Sequence, residues 1–188
     1  MPLNIYIVSH PIVQQLSSQI MNPTLIPPNM YNESYKQLGS LMIYEVMRRW
    51  MIIQNIYIKQ IDHIQTICTL KREESYIILT DLVDSYNFVT DALNLIPGVE
   101  LKHISFKQKL NNINKVTINT NGNKQQKIII INLYIDNDIL IKFLDYLTIE
   151  KHVKINQIKI ICITCKHQLL EKIGNKYPNL NIYTTKIL

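Results

Sequence analysis

The run Ile128-Ile129-Ile130-Ile131-Asn132-Leu133 is the most apolar stretch of the sequence and decides the fold class. It has the length of a strand, and its continuous hydrophobicity is typical of a strand that is covered on both faces. A helical pattern follows it at residues 138–150. The run therefore predicts one strand of a parallel sheet that has helices on either side.

The alternation of strand and helix extends in both directions from this run. We predict further strands at residues 76–79, 99–106, 157–163 and 181–184, and helices at residues 86–95 and 168–176. Within the polar stretch 107–127 we place a short hairpin around residues 116–118. Because no repeat or linker divides the 188 residues, we predict a single α/β domain.

The residues before this core predict two helices. An apolar entry at residues 4–8 leads to a helix at residues 12–21, and the proline-rich stretch that follows breaks this helix. Asn32 is a candidate N-cap for a second helix that runs to about residue 49.

A β-hairpin, which we call the arm, is predicted between these helices and the core. Residues 56–59 and 64–70 flank Asp62-His63, which has the character of a turn. The predicted organisation of residues 1–188 is therefore helices at 1–50, the arm at 51–72 and the α/β core at 73–188.

Composition indicates the source of the gene more than the activity of the protein. Ile, Asn, Lys and Tyr number 35, 19, 17 and 11, whereas Ala occurs once and Arg three times. This skew indicates an AT-rich genome, such as that of an organelle or a parasite. Part of the formal charge of +6 then reflects lysine enrichment, and the lysines are scattered, so we do not expect nucleic-acid binding. No run approaches the roughly 20 apolar residues of a membrane helix.

The cysteines and histidines give no pattern of catalysis or metal binding. Three cysteines, an odd number, argue against a disulfide framework. Cys162 and Cys165 form a CxxC pair, but Cys162 ends an apolar run. We therefore interpret both as buried or strand-end residues in preference to a redox or metal site. The five histidines lack the spacing of a metal cage or of a nucleophile–base pair.

Four segments of the sequence carry a family resemblance. They are Val8-Ser9-His10-Pro11-Ile12-Val13, Gly39-Ser40-Leu41-Met42-Ile43-Tyr44-Glu45-Val46, Ile96-Pro97-Gly98-Val99 and Lys176-Tyr177-Pro178-Asn179-Leu180-Asn181-Ile182-Tyr183-Thr184. In that order and at nearly those separations, they resemble the uracil phosphoribosyltransferase family. The resemblance implies a type I phosphoribosyltransferase-like fold and descent from enzymes that make UMP from uracil and phosphoribosyl diphosphate. It also implies a structural role for His10.

The first substrate loop of the family is altered in this sequence. The family reads Pro-Ile-Leu-Arg-Ala-Gly-Leu-Gly-Met where this chain has residues 80–88, and that loop contacts the diphosphate. By position, Val83 replaces the arginine, and Ser85 and Asn87 replace the glycines. Glycines let a backbone curl closely round an anion, so their loss weakens the site. Two carboxylates that would repel an anion stand in the same turn, Asp81 and Asp84.

The second substrate loop is altered more strongly. The family reads Asp-Pro-Met-Leu-Ala-Thr-Gly-Gly-Ser here and cradles the 5′-phosphate, whereas residues 132–140 of this chain contain no Gly, Ser or Thr. We interpret Asp136 or Asp138 as a helix cap in preference to a metal ligand. The family's uracil-recognising segment follows the position of Tyr183-Thr184, and the printed sequence ends at Leu188 without it.

These changes predict a non-catalytic homologue with no catalytic residue, cofactor or metal site. The alternative is an enzyme with residual uracil phosphoribosyltransferase activity. We expect a structural or interaction role in a plastid assembly, as a homodimer or beside another subunit. The expected interface is the arm with the residue before it: Trp50, Ile53, Ile56 and Tyr57. The competing interpretation of Trp50 is that it marks the end of the preceding helix and has no role in an interface.

Overall fold

The computed structural model describes residues 3–71, 74–106 and 125–188. The strands are β1 Asn4–Ile7, β2 Ile53–Lys59, β3 Ile64–Leu70, β4 Glu74–Thr80, β5 Glu100–His103, β6 Gln125–Ile131, β7 Tyr134–Ile135, β8 Ile158–Ile161, β9 Thr164–Cys165, β10 Asn181–Thr184 and β11 Lys186–Ile187. The α-helices are α1 Pro11–Met21, α2 Pro28–Met47, α3 Leu82–Val89, α4 Ile139–Asp145 and α5 His167–Lys176. A π-helical segment, Tyr146–Glu150, continues α4, and 3₁₀ turns occupy Pro23–Leu25, Asp91–Leu95 and Ile155–Gln157.

The centre of the fold is a six-stranded sheet in the order β1-β10-β8-β6-β4-β5, and every pairing in it is parallel. The predicted parallel sheet flanked by helices is thus confirmed. Beyond the carboxyl ends of its strands lies a second parallel sheet of three two-residue strands, β11-β9-β7. The hairpin that we placed around residues 116–118 falls outside the described residues.

Each face of the main sheet is covered by its own hydrophobic core, and β6 contributes side chains to both cores. Ile128 and Ile130 pack with α4 and α5, whereas Ile129 and Ile131 pack with α1, α2 and α3. Successive side chains of a strand point to opposite faces, so a continuous isoleucine run is the pattern that such a strand requires. A strand buried on both faces is therefore confirmed for residues 128–131, whereas the predicted end at residue 133 lies two residues beyond β6.

Helix α2 needs a glycine where it crosses α3. A Cβ atom on Gly39 would lie 1.7 Å from the carbonyl oxygen of Phe88. Because this oxygen belongs to the backbone, no side-chain movement could relieve the clash. Gly39 opens one of the segments that carry the family resemblance. Its retention therefore has a packing reason that is independent of any ligand.

Two helices begin four residues before the predicted start. Helix α2 begins at Pro28, four residues before the expected cap at Asn32, because proline is well suited to the first helical position and lacks an N–H that would need a partner. Asn32 instead accepts a hydrogen bond of 3.1 Å from the side-chain amide of Asn87. Helix α3 begins at Leu82, four residues before the predicted start at residue 86, because Asp81 caps it.

The arm is an antiparallel hairpin of β2 and β3, which pair from Ile53 with Leu70 to Lys59 with Ile64. It forms a separate two-stranded sheet, and most of its side chains are exposed. The predicted hairpin is confirmed, and β2 begins three residues earlier than residue 56.

A buried ionic cluster joins the arm, α2 and the sheet. The Lys127 ammonium lies 2.5 Å from the Glu74 carboxylate and 2.6 Å from the carbonyl oxygen of Trp50. The second oxygen of Glu74 accepts bonds from the Tyr76 hydroxyl at 2.5 Å and from the Ile52 N–H at 3.3 Å. Burial acts to raise the pKa of Glu74, but the bonds from Lys127 and Tyr76 outweigh burial and lower it.

A second lysine of this cluster, Lys159, is buried beside Trp50 with no carboxylate bonded to it among the described residues. Its ammonium donates to the carbonyl oxygen of Val46 at 3.1 Å and to the Tyr183 hydroxyl at 3.2 Å, and lies 4.7 Å from the centre of the Trp50 ring. Burial, and then the nearby charge of Lys127, lower its pKa from 10.5 to about 8.

We expect the charge of Lys159 to reduce stability at neutral pH. Between pH 8 and 10.5 the unfolded chain still binds the proton that folded Lys159 has lost, so the free energy of unfolding should rise with pH in that window. In Lys159→Met this rise should be reduced by roughly 2–3 kcal/mol. Urea unfolding of both proteins from pH 7 to 10 measures the difference.

The matched control for this experiment is Lys172→Met, which removes a more exposed lysine whose partner is Asp138. Its free energy of unfolding should stay within about 1 kcal/mol of that of the wild type, since exposed ion pairs contribute little. Parallel curves for wild type and Lys159→Met would show that Lys159 titrates normally in the folded protein and would contradict the prediction.

Candidate functional site

The two altered turns meet in one cleft at the carboxyl ends of β4 and β6. The cleft holds about 130 Å³, which is smaller than the roughly 300–1,000 Å³ of most small-molecule sites. Among the described residues that line it, none is lysine or arginine. Three of them are aspartates: Asp81, Asp84 and Asp136.

Two side chains, one from the first turn and one from β5, satisfy the start of α3. The carboxylate of Asp81 accepts a hydrogen bond of 3.1 Å from the Val83 N–H. The Leu82 N–H donates to Nδ1 of His103, on β5, at 3.1 Å. These are the donors that a helix start would offer to a phosphate, and both already have acceptors.

Two buried hydroxyls close the floor of this turn. The hydroxyl oxygens of Thr80 and Ser85 lie 2.6 Å apart, so one donates to the other, and the carbonyl oxygens of Ile131 and Asp81 lie within hydrogen-bond distance of them at 2.9 and 2.6 Å. Ser85, which stands where the family has a glycine, is therefore held inside the protein. Val83 faces solvent and Asn87 bonds to α2, so neither replaces the lost arginine or glycine as a donor in the cleft.

In the second turn a side chain also caps the start of the following helix, but this residue was not among the predicted caps. The side-chain oxygen of Asn137 accepts a bond of 3.1 Å from the Ile139 N–H at the start of α4. The expectation that Asp136 or Asp138 caps this helix is wrong. Asp138 occupies the cap position without a capping bond, and its carboxylate bonds to the ammonium of Lys172 at 3.1 Å.

The third turn, after β8, is filled by backbone pairing. Strand β9 pairs with β7 on one side and with β11 on the other, and the Ile163 N–H donates to the carbonyl oxygen of Leu133 at 2.8 Å. Cys162 and Cys165 are both buried, and burial raises the pKa of the Cys162 thiol. No group of three or more potential metal ligands occurs within residues 3–71, 74–106 and 125–188.

The residues proposed for an interface separate into two environments. Trp50 lies at the end of α2, where its ring contacts Tyr76 edge to face at 6.1 Å and also Lys159, so its described contacts are internal. Ile53 and Tyr57 lie on the arm and are 61% and 68% exposed, and Ile56 lies there as well. His10 caps α1 by accepting from the Ile12 N–H at 3.3 Å, which agrees with a structural role.

The sequence matches the family model described as Uracil phosphoribosyltransferase over residues 7–187. The chain belongs to the uracil phosphoribosyltransferase family. A protein named Uracil phosphoribosyltransferase homolog from Porphyra purpurea is 29% identical over 187 residues, covering 100% of this chain and 89% of that protein. The protein of the same name from Pyropia yezoensis is 27% identical with the same coverage.

More distant relatives of this family member include a protein named Uracil phosphoribosyltransferase from Nicotiana tabacum. It is 21% identical over 184 residues, which are 95% of this chain and 81% of that protein. The solved structure of the AQ2163 protein from Aquifex aeolicus superposes with a TM-score of 0.74 at 13% identity, over 97% of this chain and 86% of the other. At this identity the likeness supports the fold alone.

Sequence reasoning about this family member missed two groups of residues. The caps could not be found from the family motifs, because His103 lies outside them. Asn137 stands where the second loop of the family has its threonine, and that position alone does not show that its side chain caps α4. The ionic cluster had a signal in the sequence, since Lys127 and Lys159 stand at the start of otherwise apolar strands. A charge at such a position needs a buried partner, and Glu74 supplies one.

The capping of α3 by Asp81 can be tested through stability. Replacing Asp81 by alanine leaves the start of α3 without its side-chain acceptor, so we expect a loss of about 0.5–2 kcal/mol in the free energy of unfolding. Asp81→Asn keeps an oxygen acceptor and should retain most of that stability. Chemical unfolding of the three proteins measures both changes, and equal losses in the two variants would exclude the capping role.

Proposed function

We propose that this chain is a non-catalytic member of the uracil phosphoribosyltransferase family that acts as an interaction subunit. The observation that carries the proposal is the state of the substrate turns. The helix-start N–H groups described above bond to Asp81, His103 and Asn137, which belong to the protein itself. A phosphate that entered the cleft would find these donors already bonded.

Electrostatics support the same conclusion. The cleft is lined by aspartates, and the described residues that line it include no lysine or arginine. A unit charge about 4 Å from another of the same sign costs about 1 kcal/mol in water and about 4 kcal/mol near a protein surface. Several such contacts would oppose the binding of a diphosphate together with a 5′-phosphate. Substrate loops of this composition are unfavourable for phosphoribosyl transfer.

The alternative function is residual pyrimidine salvage, in which UMP is made from uracil and phosphoribosyl diphosphate. It is favoured by the family itself, since the relative from Nicotiana tabacum bears the name of the enzyme. The salvage function requires other hydrogen-bond donors to hold the phosphates, in place of the family's donors that are missing from the turns. Removal of one preorganised donor typically lowers a rate about 10²–10³-fold, and here several are replaced.

We expect the purified chain to form no UMP from radiolabelled uracil and phosphoribosyl diphosphate above a heat-inactivated control. Millimolar phosphoribosyl diphosphate should also leave the melting temperature unchanged, whereas saturation at 100 times Kd would add about 2.7 kcal/mol of stability. An active uracil phosphoribosyltransferase assayed in parallel provides the positive control. Turnover, or a shift of several degrees, would favour the salvage function instead.

The interaction role is supported by the arm. An isolated two-stranded hairpin is marginally stable in water, and this one exposes isoleucines on both of its faces. Contiguous exposed apolar surface of this kind usually marks an interface. We propose that the arm is covered by a second copy of this chain or by another subunit of a plastid assembly. The AT-rich composition and the red algal relatives support the plastid setting.

The assembly proposal predicts that charges on the arm abolish association. In Ile53→Asp/Ile56→Asp, carboxylates would have to be desolvated at the interface, so complexes recovered from a native extract should be lost. The core should remain folded, because neither side chain belongs to either hydrophobic core, and the circular dichroism spectrum should be unchanged.

The control for the arm variant is Ile149→Asp, which places the same charge on an exposed isoleucine in the segment after α4. It should associate like the wild type. Native association that survives the double substitution would show that the arm is not the interface. A monomeric protein in the native extract would remove the main support for the interaction role.

A further inference from the structure

Cys162 and Cys165 form a CxxC pair that the proposed interaction role does not use. Cys162 directly follows β8 and Cys165 ends β9, so both lie in the third turn, at the carboxyl ends of the strands. The sequence alone favoured two separate buried residues over a redox site, and the structure adds that their thiols are in contact and share a hydrogen bond. A disulfide needs two sulfurs that can approach to about 2 Å, so contact between the thiols is its first condition.

The two thiols lie in different surroundings. Cys162 is fully buried, its sulfur lies 3.7 Å from the carbonyl oxygen of Tyr183, and burial raises the pKa of its thiol. The sulfur of Cys165 lies 3.8 Å from the hydroxyl oxygen of Thr184. The hydrogen bond with Cys162 lowers the pKa of Cys165, although burial acts to raise it. Because the thiolate is the nucleophilic form of a cysteine, Cys165 is the sulfur suited to attack and Cys162 the thiol suited to follow it.

Strand β11 covers Cys165, and this cover can open. The carbonyl oxygen of Lys186 lies 3.9 Å from the Cys165 sulfur. The N–H groups of Lys186 and Leu188 donate to the carbonyl oxygens of Ile163 and Cys165 at 3.1 and 2.8 Å, and the side chains of Lys186 and Leu188 are exposed. A two-residue strand with exposed side chains belongs to the parts of a fold that open at a low cost in free energy. Opening of β11 would admit a small reagent to Cys165 while β8 stays paired.

We propose that Cys162 and Cys165 are a reversible dithiol–disulfide site, which is oxidised by a peroxide and reduced by a small dithiol. In the first step the Cys165 thiolate attacks one oxygen of the peroxide and the O–O bond breaks. The other oxygen leaves as water or an alcohol, with the proton that Cys165 lost, and Cys165 becomes a sulfenic acid. The Cys162 sulfur then attacks that sulfenic acid. The S–S bond forms, and the S–O bond breaks to release water that carries the Cys162 proton.

The two steps balance. The two thiols lose two electrons and two protons, and the peroxide takes up both to become water and an alcohol, or two waters. A small dithiol reverses the change by thiol–disulfide exchange and is itself oxidised to a disulfide.

A metal site is the other chemistry that a pair of thiols can support. Structural zinc takes four protein ligands, and the two cysteines supply half of that number. Within residues 3–71, 74–106 and 125–188 no group of three or more potential ligands occurs. The observations therefore favour a bond between the two sulfurs. The proposal does not depend on the proposed function, because neither cysteine belongs to the arm or to the lining of the cleft.

The first test is peptide mapping of Cys68→Ser after treatment with hydrogen peroxide and then with dithiothreitol. This variant removes the exposed third cysteine, so that no disulfide can form through it. The peptide that contains Cys162 and Cys165 should become two hydrogen atoms lighter with peroxide and should regain them with dithiothreitol. In Cys68→Ser/Cys162→Ser, dimedone should trap a sulfenic acid on Cys165. In Cys68→Ser/Cys165→Ser, Cys162 should remain a thiol under the same conditions.

The second test asks whether the fold favours the disulfide, and it needs no substitution in the pair. The fraction of disulfide in Cys68→Ser is measured in a series of dithiothreitol redox buffers, for the folded protein and in concentrated urea. The unfolded chain is the matched control, because the two cysteines keep the same spacing in sequence there. The equilibrium constant for the disulfide should be at least ~10-fold larger in the folded protein, since the fold holds the thiols in contact. By linkage, oxidation should then raise the free energy of unfolding by at least about 1.4 kcal/mol, which is the tenfold ratio converted.

The outcomes decide the proposal. A disulfide that forms with peroxide, is reversed by dithiothreitol and is favoured by the fold supports it. Thiols that stay reduced in the folded protein overturn it, and so does oxidation that dithiothreitol does not reverse. An equilibrium constant that is equal in the folded and unfolded chain overturns it as well, because the pair would then behave like the same spacing in any flexible peptide. Sulfenic acid trapped on Cys162 instead of Cys165 would overturn the assignment of the attacking sulfur.

Discussion

The buried pairing of Glu74 with Lys127 is the constraint on which the arrangement of the three parts of the molecule depends. The two side chains lie 2.5 Å apart at the start of β4 and β6, and between them they bind the backbone of Trp50 and Ile52. Those two residues connect the end of α2 to the arm. Because a buried charge is costly without its partner, the pairing fixes where the arm leaves the sheet. It lies at the opposite end of the strands from the substrate turns.

The contacts that hold the fold together therefore lie largely apart from the turns at the carboxyl ends of the strands. Most residues of the two hydrophobic cores, and those of the Gly39 crossing and the ionic cluster, lie outside the lining of the cleft. The turns at the carboxyl ends of the strands contribute caps and a few buried hydroxyls. Once a carboxylate or an amide caps a helix start, the local fold is stable without an anion. In an active phosphoribosyltransferase the bound anion can satisfy the same donors.

Much of this arrangement followed from the pattern of residues, and the exceptions have physical causes. The buried strand at residues 128–131 and the hairpin strand at residues 64–70 could both be predicted from local sequence. The boundary of α2 was misplaced because Asn32 and Pro28 are both acceptable near a helix start. The cap of α4 was misassigned because Asp136, Asn137 and Asp138 all have the chemistry of a cap, and only the geometry selects Asn137.

The sequence by itself determined that the chain is an α/β protein of the uracil phosphoribosyltransferase family whose substrate loops lack their glycines. Hydrophobic periodicity and motif order are local properties, so they can be read along the chain. Tertiary structure decided that His103 and Asp81 meet at one helix start, that Trp50 turns inward between two lysines, and that β11 covers the thiol of Cys165. These features depend on residues that are far apart in sequence and become neighbours only when the strands pair.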